Sequence, residues 1–95
     1  MECDTVIVGG GPAGLSAGIY AERSGLKAAV IEKGVLGGQV ATTPIVENYP
    51  GFPQVGGKSV VDIMVNHALQ YVQIYQGEEV LSVEAGFPLT VQTTR

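Results

Sequence analysis

Three glycines, Gly9, Gly11 and Gly14, stand at the spacing G-x-G-x-x-G directly behind four β-prone residues, Thr5-Val6-Ile7-Val8. That spacing suits one kind of chemistry, the holding of a pyrophosphate. Gly9 permits the tight turn, Gly11 lets backbone approach the phosphates, and Gly14 lets the next helix pack close to the strand. Pro12 and Ala13 lie between them and open the helix, whose first N–H groups and positive dipole end are available to an anion. A second apolar run, Ala28-Ala29-Val30-Ile31, ends at Glu32. An acid about 20 residues beyond the turn is where an adenosine ribose finds its hydrogen-bond acceptor. A plain strand-turn-helix would account for the glycines alone; the acid closing the next strand favours a dinucleotide site.

The rest of the reactive inventory is small. Cys3 is the only cysteine, so neither an intrachain disulfide, nor a C-x-x-C redox pair, nor a cysteine metal site can be assembled. It reads as an ordinary residue leading into the first strand. His67 is the only histidine; without a Cys, His or acid at ligand spacing it reads as an exposed helix residue. Lys33 beside Glu32 reads as a solvated lysine. No catalytic residue and no metal ligand is expected.

Among the elements that must position these residues, the first strand spans about Thr5 to Gly9. Its apolar residues run without alternation, which fits a parallel sheet covered on both faces. A helix from about Pro12 to Ser24 begins with Pro12 where a missing N–H costs little and stops at Gly25. Ala13, Gly14, Ala17 and Ala21 give it a thin face for close packing, while Leu15, Ile19 and Leu26 supply bulk. From Lys33 to Lys58 nine glycines and prolines break regular structure. This stretch also carries Val35, Leu36, Val40, Ile45, Val46, Tyr49 and Phe52, too apolar for a solvated linker, so it reads as an ordered binding loop. Ser59-Val60-Val61-Asp62 resembles a capping box. Behind it Val61, Met64, Val65, Ala68 and Val72 recur at helical spacing and predict a second helix from about Val60 to Ile74. Glu79 to Glu84 and Leu89 to Thr93, around Ala85-Gly86-Phe87-Pro88, predict an antiparallel hairpin with one exposed face.

Ninety-five residues make at most one small domain. At 45% hydrophobic and 15% charged residues it is globular and core-rich. A net charge of −4 with only five scattered basic residues argues against nucleic-acid binding. With no signal peptide and no apolar run near 18 residues, a soluble cytoplasmic protein without membrane contact is expected.

The glycine turn alone leaves many nucleotide-binding families open. A second stretch narrows them. Gly37-Gly38-Gln39-Val40-Ala41-Thr42-Thr43, followed by Val46-Glu47-Asn48-Tyr49-Pro50-Gly51-Phe52-Pro53, resembles the flavin-binding region of bacterial and archaeal thioredoxin reductases, and the resemblance covers essentially the whole chain. It implies an α/β fold: a Rossmann-like FAD-binding βαβ unit with a second helix and a β-hairpin, incomplete relative to the family's flavin domain. It further implies that Gly9, Gly11, Pro12, Ala13 and Gly14 hold the FAD pyrophosphate and that Glu32 binds the adenosine ribose. Gly38, Gln39 and Thr42 would lie along the flavin end, Asn48 near the isoalloxazine or ribityl chain, and backbone near Val80 at the adenine.

The chain departs from the family in two ways. The redox-active C-x-x-C and the NADPH-binding domain that carries it are absent, and so is the C-terminal part of the discontinuous flavin domain. Residues 1–95 are thus expected to be a partial FAD-binding domain, an N-terminal fragment of an NADPH-dependent thioredoxin-disulfide reductase-like oxidoreductase and inactive alone. Thioredoxin would be reached only through the missing parts. A homo-oligomer is expected, because two parallel strands and a hairpin leave open edges. The alternatives are a stand-alone dinucleotide-binding or assembly module without catalysis, and a fragment of a ferredoxin-NADP reductase-like flavoprotein. Val46-Glu47-Asn48-Tyr49-Pro50-Gly51 favours the disulfide reductases.

Overall fold

The computed structural model describes residues 2–47, 50–51, 54–86 and 88–94. Strand β1 (Thr5–Val8) leads through the glycine turn into helix α1 (Pro12–Arg23), and β2 (Ala28–Glu32) follows. A short 3₁₀ segment (Gly38–Thr42) precedes helix α2 (Gly57–Leu69), β3 (Gln73–Gln76) and the strands β4 (Val80–Glu84) and β5 (Thr90–Thr93). The first three strands form one parallel sheet in the order β1-β2-β3, and β4 and β5 pair antiparallel as a separate hairpin.

β2 is central because it is apolar on both faces, and Ala28, Ala29, Val30 and Ile31 are all buried. Alternation along the strand sends Ala28 and Val30 to one face. There they meet Leu15 from α1 and Ala68 and Val72 from the α2 side, with Ile7 and Ile74 packed against this core. Ile7, Val30 and Ile74 sit opposite one another across the three strands. Fully burying Leu15 and Val30 contributes roughly 1.5–3 kcal/mol each.

Several sequence expectations are corrected by this arrangement. The second helix ends at Leu69, and Gln73–Gln76 is a third parallel strand rather than the helix's last turn. Val72 keeps the helical stripe in register only because it enters the same core. The Ser59/Asp62 capping box does not form: the cap of α2 is Gly56 and carries no side-chain hydrogen bond, while Asp62 instead pairs with Lys58 at 2.8 Å. β1 is not covered on both faces; it is an edge strand, and Val6 and Val8 are 37% and 63% exposed. Close packing of α1 uses Gly14, Gly18 and Ala21, whereas Ala13 and Ala17 are exposed; a Cβ on Gly18 would stand 3.2 Å from Val72 and 3.3 Å from Val30.

Leu26, expected to add bulk, is 45% exposed, while three further expectations hold. Gly25 ends α1 at φ +87°, a left-handed conformation that favours glycine. The glycine- and proline-rich stretch is ordered through its described part, where Val46 and Val55 bridge antiparallel with hydrogen bonds of 2.6 and 2.9 Å. His67 is exposed and meets Tyr71 edge to face at 5.6 Å.

Candidate functional site

The site begins where β1 ends. Gly9 turns the chain at φ +107°, and its N–H donates to the Ile31 carbonyl at 2.8 Å, so the turn stays fastened to β2. Gly11 is the N-cap of α1, with Pro12 in the first turn. The first-turn N–H groups of Ala13 and Gly14 have no intrahelical acceptor. A Cβ on Gly11 would meet nothing within 4 Å, so the backbone there is open to approach. Gly14 is different: a Cβ would collide with the Gly9 carbonyl oxygen, and only glycine allows the helix to start so close to the strand.

Glu32, the last residue of β2, is drawn toward this turn. The Gly10 N–H donates to its Oε1 at 2.9 Å and the Gly34 N–H to its Oε2 at 2.7 Å. These two bonds, the Gly10 one first, hold the carboxyl below its ordinary value against the opposing effect of partial desolvation, with Lys33 adding its N–H and its charge. A carboxylate has about four lone-pair positions, so the oxygens keep acceptor capacity beyond these backbone donors. Glu32, Gly9 and Val80 line one cavity of about 260 Å³, together with Lys33, Glu78 and Glu79.

The 3₁₀ segment faces the other side of the turn. Gly37, at φ +95°, donates its N–H to the Gly10 carbonyl at 2.7 Å, and Gly38 lies against Gly11, where a Cβ would be 3.8 Å from the Gly11 Cα. The Gln39 carbonyl accepts the hydroxyls of Thr42 and Thr43 at 2.9 and 3.1 Å, which closes the segment on itself. Beyond it a more apolar cavity of about 320 Å³ is lined by Pro12, Val40, Ile45, Val46, Val60 and Met64, with Thr43 and Glu47 as its polar members. Gly57 seats α2 beneath this segment. Its N–H donates to the Thr43 carbonyl at 3.0 Å, and a Cβ would run into the carbonyl oxygens of both Val40 and Thr43.

Most residues expected from the sequence are thus gathered around one turn: Gly9, Gly11, Pro12, Gly14, Glu32, Gly38 and Val80. Ala13 sits exposed at the helix start, and the side chains of Gln39 and Thr42 are exposed along the 3₁₀ segment. Asn48 lies outside the described residues. Sequence reasoning missed Gly10 and Gly34, whose amides hold the Glu32 carboxylate; a third consecutive glycine and a glycine two places after the acid were the available signals. It missed Gly57 too, because a contact with backbone carbonyls has no signature in composition. Among the described residues no group of three or more His, Cys, Asp and Glu could hold a metal ion, and no helix is long and apolar enough to cross a membrane.

Comparison with known proteins agrees with this geometry. The model of the pyridine nucleotide-disulphide oxidoreductases matches residues 3–94. The chain is 38% identical over 92 residues to thioredoxin reductase of Bacillus subtilis and 39% identical over 92 residues to that of Listeria monocytogenes, in each case across 87% of this chain and 29% of the relative. Among solved structures it is similar to T. acidophilum thioredoxin reductase, with a TM-score of 0.93 and 41% identity across 97% of this chain and 31% of that one. The chain therefore spans less than a third of the length of the relatives it matches.

Proposed function

The chain belongs to the pyridine nucleotide-disulphide oxidoreductase family, and on that premise we propose that residues 1–95 are the FAD-binding N-terminal part of a thioredoxin-reductase-like oxidoreductase. The observation that carries the reading is the convergence of Gly9, Glu32 and Val80 on one cavity beside the first turn of α1.

The residues present suit FAD at each of its parts. Open backbone at Gly11 and unpartnered first-turn N–H groups suit a pyrophosphate. Glu32 retains acceptor capacity for ribose hydroxyls, and the backbone at Val80 borders the same cavity for an adenine. The apolar cavity between the 3₁₀ segment and α2 suits a flat ring with a polar edge. Gly38, Gln39, Thr42 and Asn48 are the residues we assign to the flavin end. When bound, the flavin supplies two-electron redox chemistry that no side chain of this chain can perform.

The chain's own contribution is binding and orientation. α1 sets its dipole against phosphate charge, Glu32 fixes the ribose, and Val40, Val60 and Met64 keep water from one side of the ring. The NADPH site, the cysteine pair and the encounter with thioredoxin belong, in this reading, to further sequence. The reducing cytoplasm is the compartment we propose, in keeping with the single unpaired Cys3.

Titration of the chain with FAD, NADH and NADPH tests the reading by flavin fluorescence and competition. FAD is expected to bind most tightly, and Gly11→Val to weaken it about tenfold or more as the new side chain blocks backbone approach. Tighter binding of NADH than of FAD overturns it.

A further inference from the structure

We propose that Gln76 is a positioning residue for the ribose-binding carboxylate of Glu32. The inference rests on the FAD reading for its purpose, but its structural basis is independent. Gln76 is the last residue of β3 and stands opposite Glu32 in the parallel register. Its side-chain Nε2 donates to the Gly34 carbonyl at 3.0 Å. The next two residues reach the same place through backbone: the N–H groups of Gly77 and Glu78 donate to the Glu32 carbonyl at 2.7 and 3.3 Å. Residues 76–78 therefore grip the Glu32–Gly34 turn from both ends.

Gly34 in turn gives its N–H to Glu32 Oε2 at 2.7 Å. A carbonyl and an N–H lie on either side of Gly34, so holding the one restricts the direction of the other. Without the Gln76 amide, the exposed Gly34 turn is held less firmly, its bond to the carboxylate weakens, and the carboxylate relies on Gly10 and Lys33. The two carboxylate oxygens then lose the fixed plane in which their remaining acceptor capacity is presented to a ribose. Gln76 needs no contact with the cofactor to exert this effect. The charges that face the carboxylate across the cavity are those of Lys33, Glu78 and Glu79, and none of them changes when Gln76 is replaced by an uncharged residue.

Gln76→Met is the deciding variant, since it keeps the length of the side chain and removes the donor. The Glu32 carboxyl is titrated by ¹³C NMR, and the affinities for AMP and FMN are measured on the same full chain. The expected result is a Glu32 titration displaced upward toward the ordinary carboxylate value. AMP should bind about fivefold to tenfold more weakly, the loss of one hydrogen bond's net effect, and FMN affinity should be unchanged. A Glu32 titration that does not move, or AMP affinity within twofold of the original, overturns the proposal. If the unaltered chain binds neither AMP nor FAD, the FAD reading fails, and the Glu32 titration alone then judges the grip of Gln76.

Discussion

Glu32 concentrates the electrostatics of the site in one side chain held by two backbone amides. Those bonds favour the ionised form, so the folded-state pKa lies below the ordinary 4.5. A carboxylate with a depressed folded pKa contributes stability above its unfolded pKa and loses it as the pH falls through the folded value. The contribution is therefore complete at neutral pH and disappears in the acid range below about 4.5. Glu32→Gln is expected to cost roughly 1–2 kcal/mol at pH 7, the scale of hydrogen bonds to a charged group. The gap between variant and original should narrow as denaturant melts are repeated toward pH 3. A gap that stays constant across that range would show that the amides do not prefer the charged form. At this scale the sequence was informative where a residue type is forced by local structure: the acid ending an apolar strand, and glycines at a tight turn and a close helix–strand contact. It was silent on the donors to that acid, because any residue except proline carries an N–H.

Among the elements, the junction of α2 with the 3₁₀ segment sets the geometry of the more apolar cavity. Gly57 adopts ordinary helical backbone, so its need for glycine comes from contact and not from conformation: the Val40 and Thr43 carbonyls occupy the space a Cβ would take. Gly57→Ala is expected to push the segment away and cost about 1–3 kcal/mol, as overpacking does. FAD should weaken more than AMP in that variant, since the adenosine end stands apart. Equal weakening of both ligands would mean that the helix does not act through the segment. The glycine turn, α1, β2 and the hairpin were legible because their patterns are local and their ends are marked by Gly9, Gly25 and Gly86. β3 was not. No glycine or proline separates Lys58 from Gln76, and Val72 continues the helical stripe of Ala68 into the same core. Only the clustering of Val72, Ile74 and Tyr75, all β-prone, hinted that the chain had already left the helix.

At the scale of the molecule, β1 and β3 are both open edges of the sheet. Val6 and Val8 on one face, and Leu81, Val83 and Leu89 on the hairpin, leave apolar surface in water. Edges and patches of this kind drive association. Sedimentation at tens of micromolar is expected to show a dimer or larger species, and a clean monomer would contradict this. The chain alone is expected to show no NADPH-dependent reduction of a thioredoxin disulfide. Exchange needs an attacking and a resolving thiol, and Cys3 is the only cysteine. Steady-state turnover above about 1% of a typical 10 per second, unaffected by Cys3→Ser, would refute that expectation. The order β1-β2-β3 also imposes a schedule on assembly. β1 and β2 can pair soon after residue 32 is made, but β3 joins them only once residues 33–72 have been made and folded back. At roughly 5–20 residues per second of synthesis, the partners of Glu32 on β3 follow it by several seconds. A ligand present during translation thus encounters the glycine turn first and the fully held Glu32 carboxylate last.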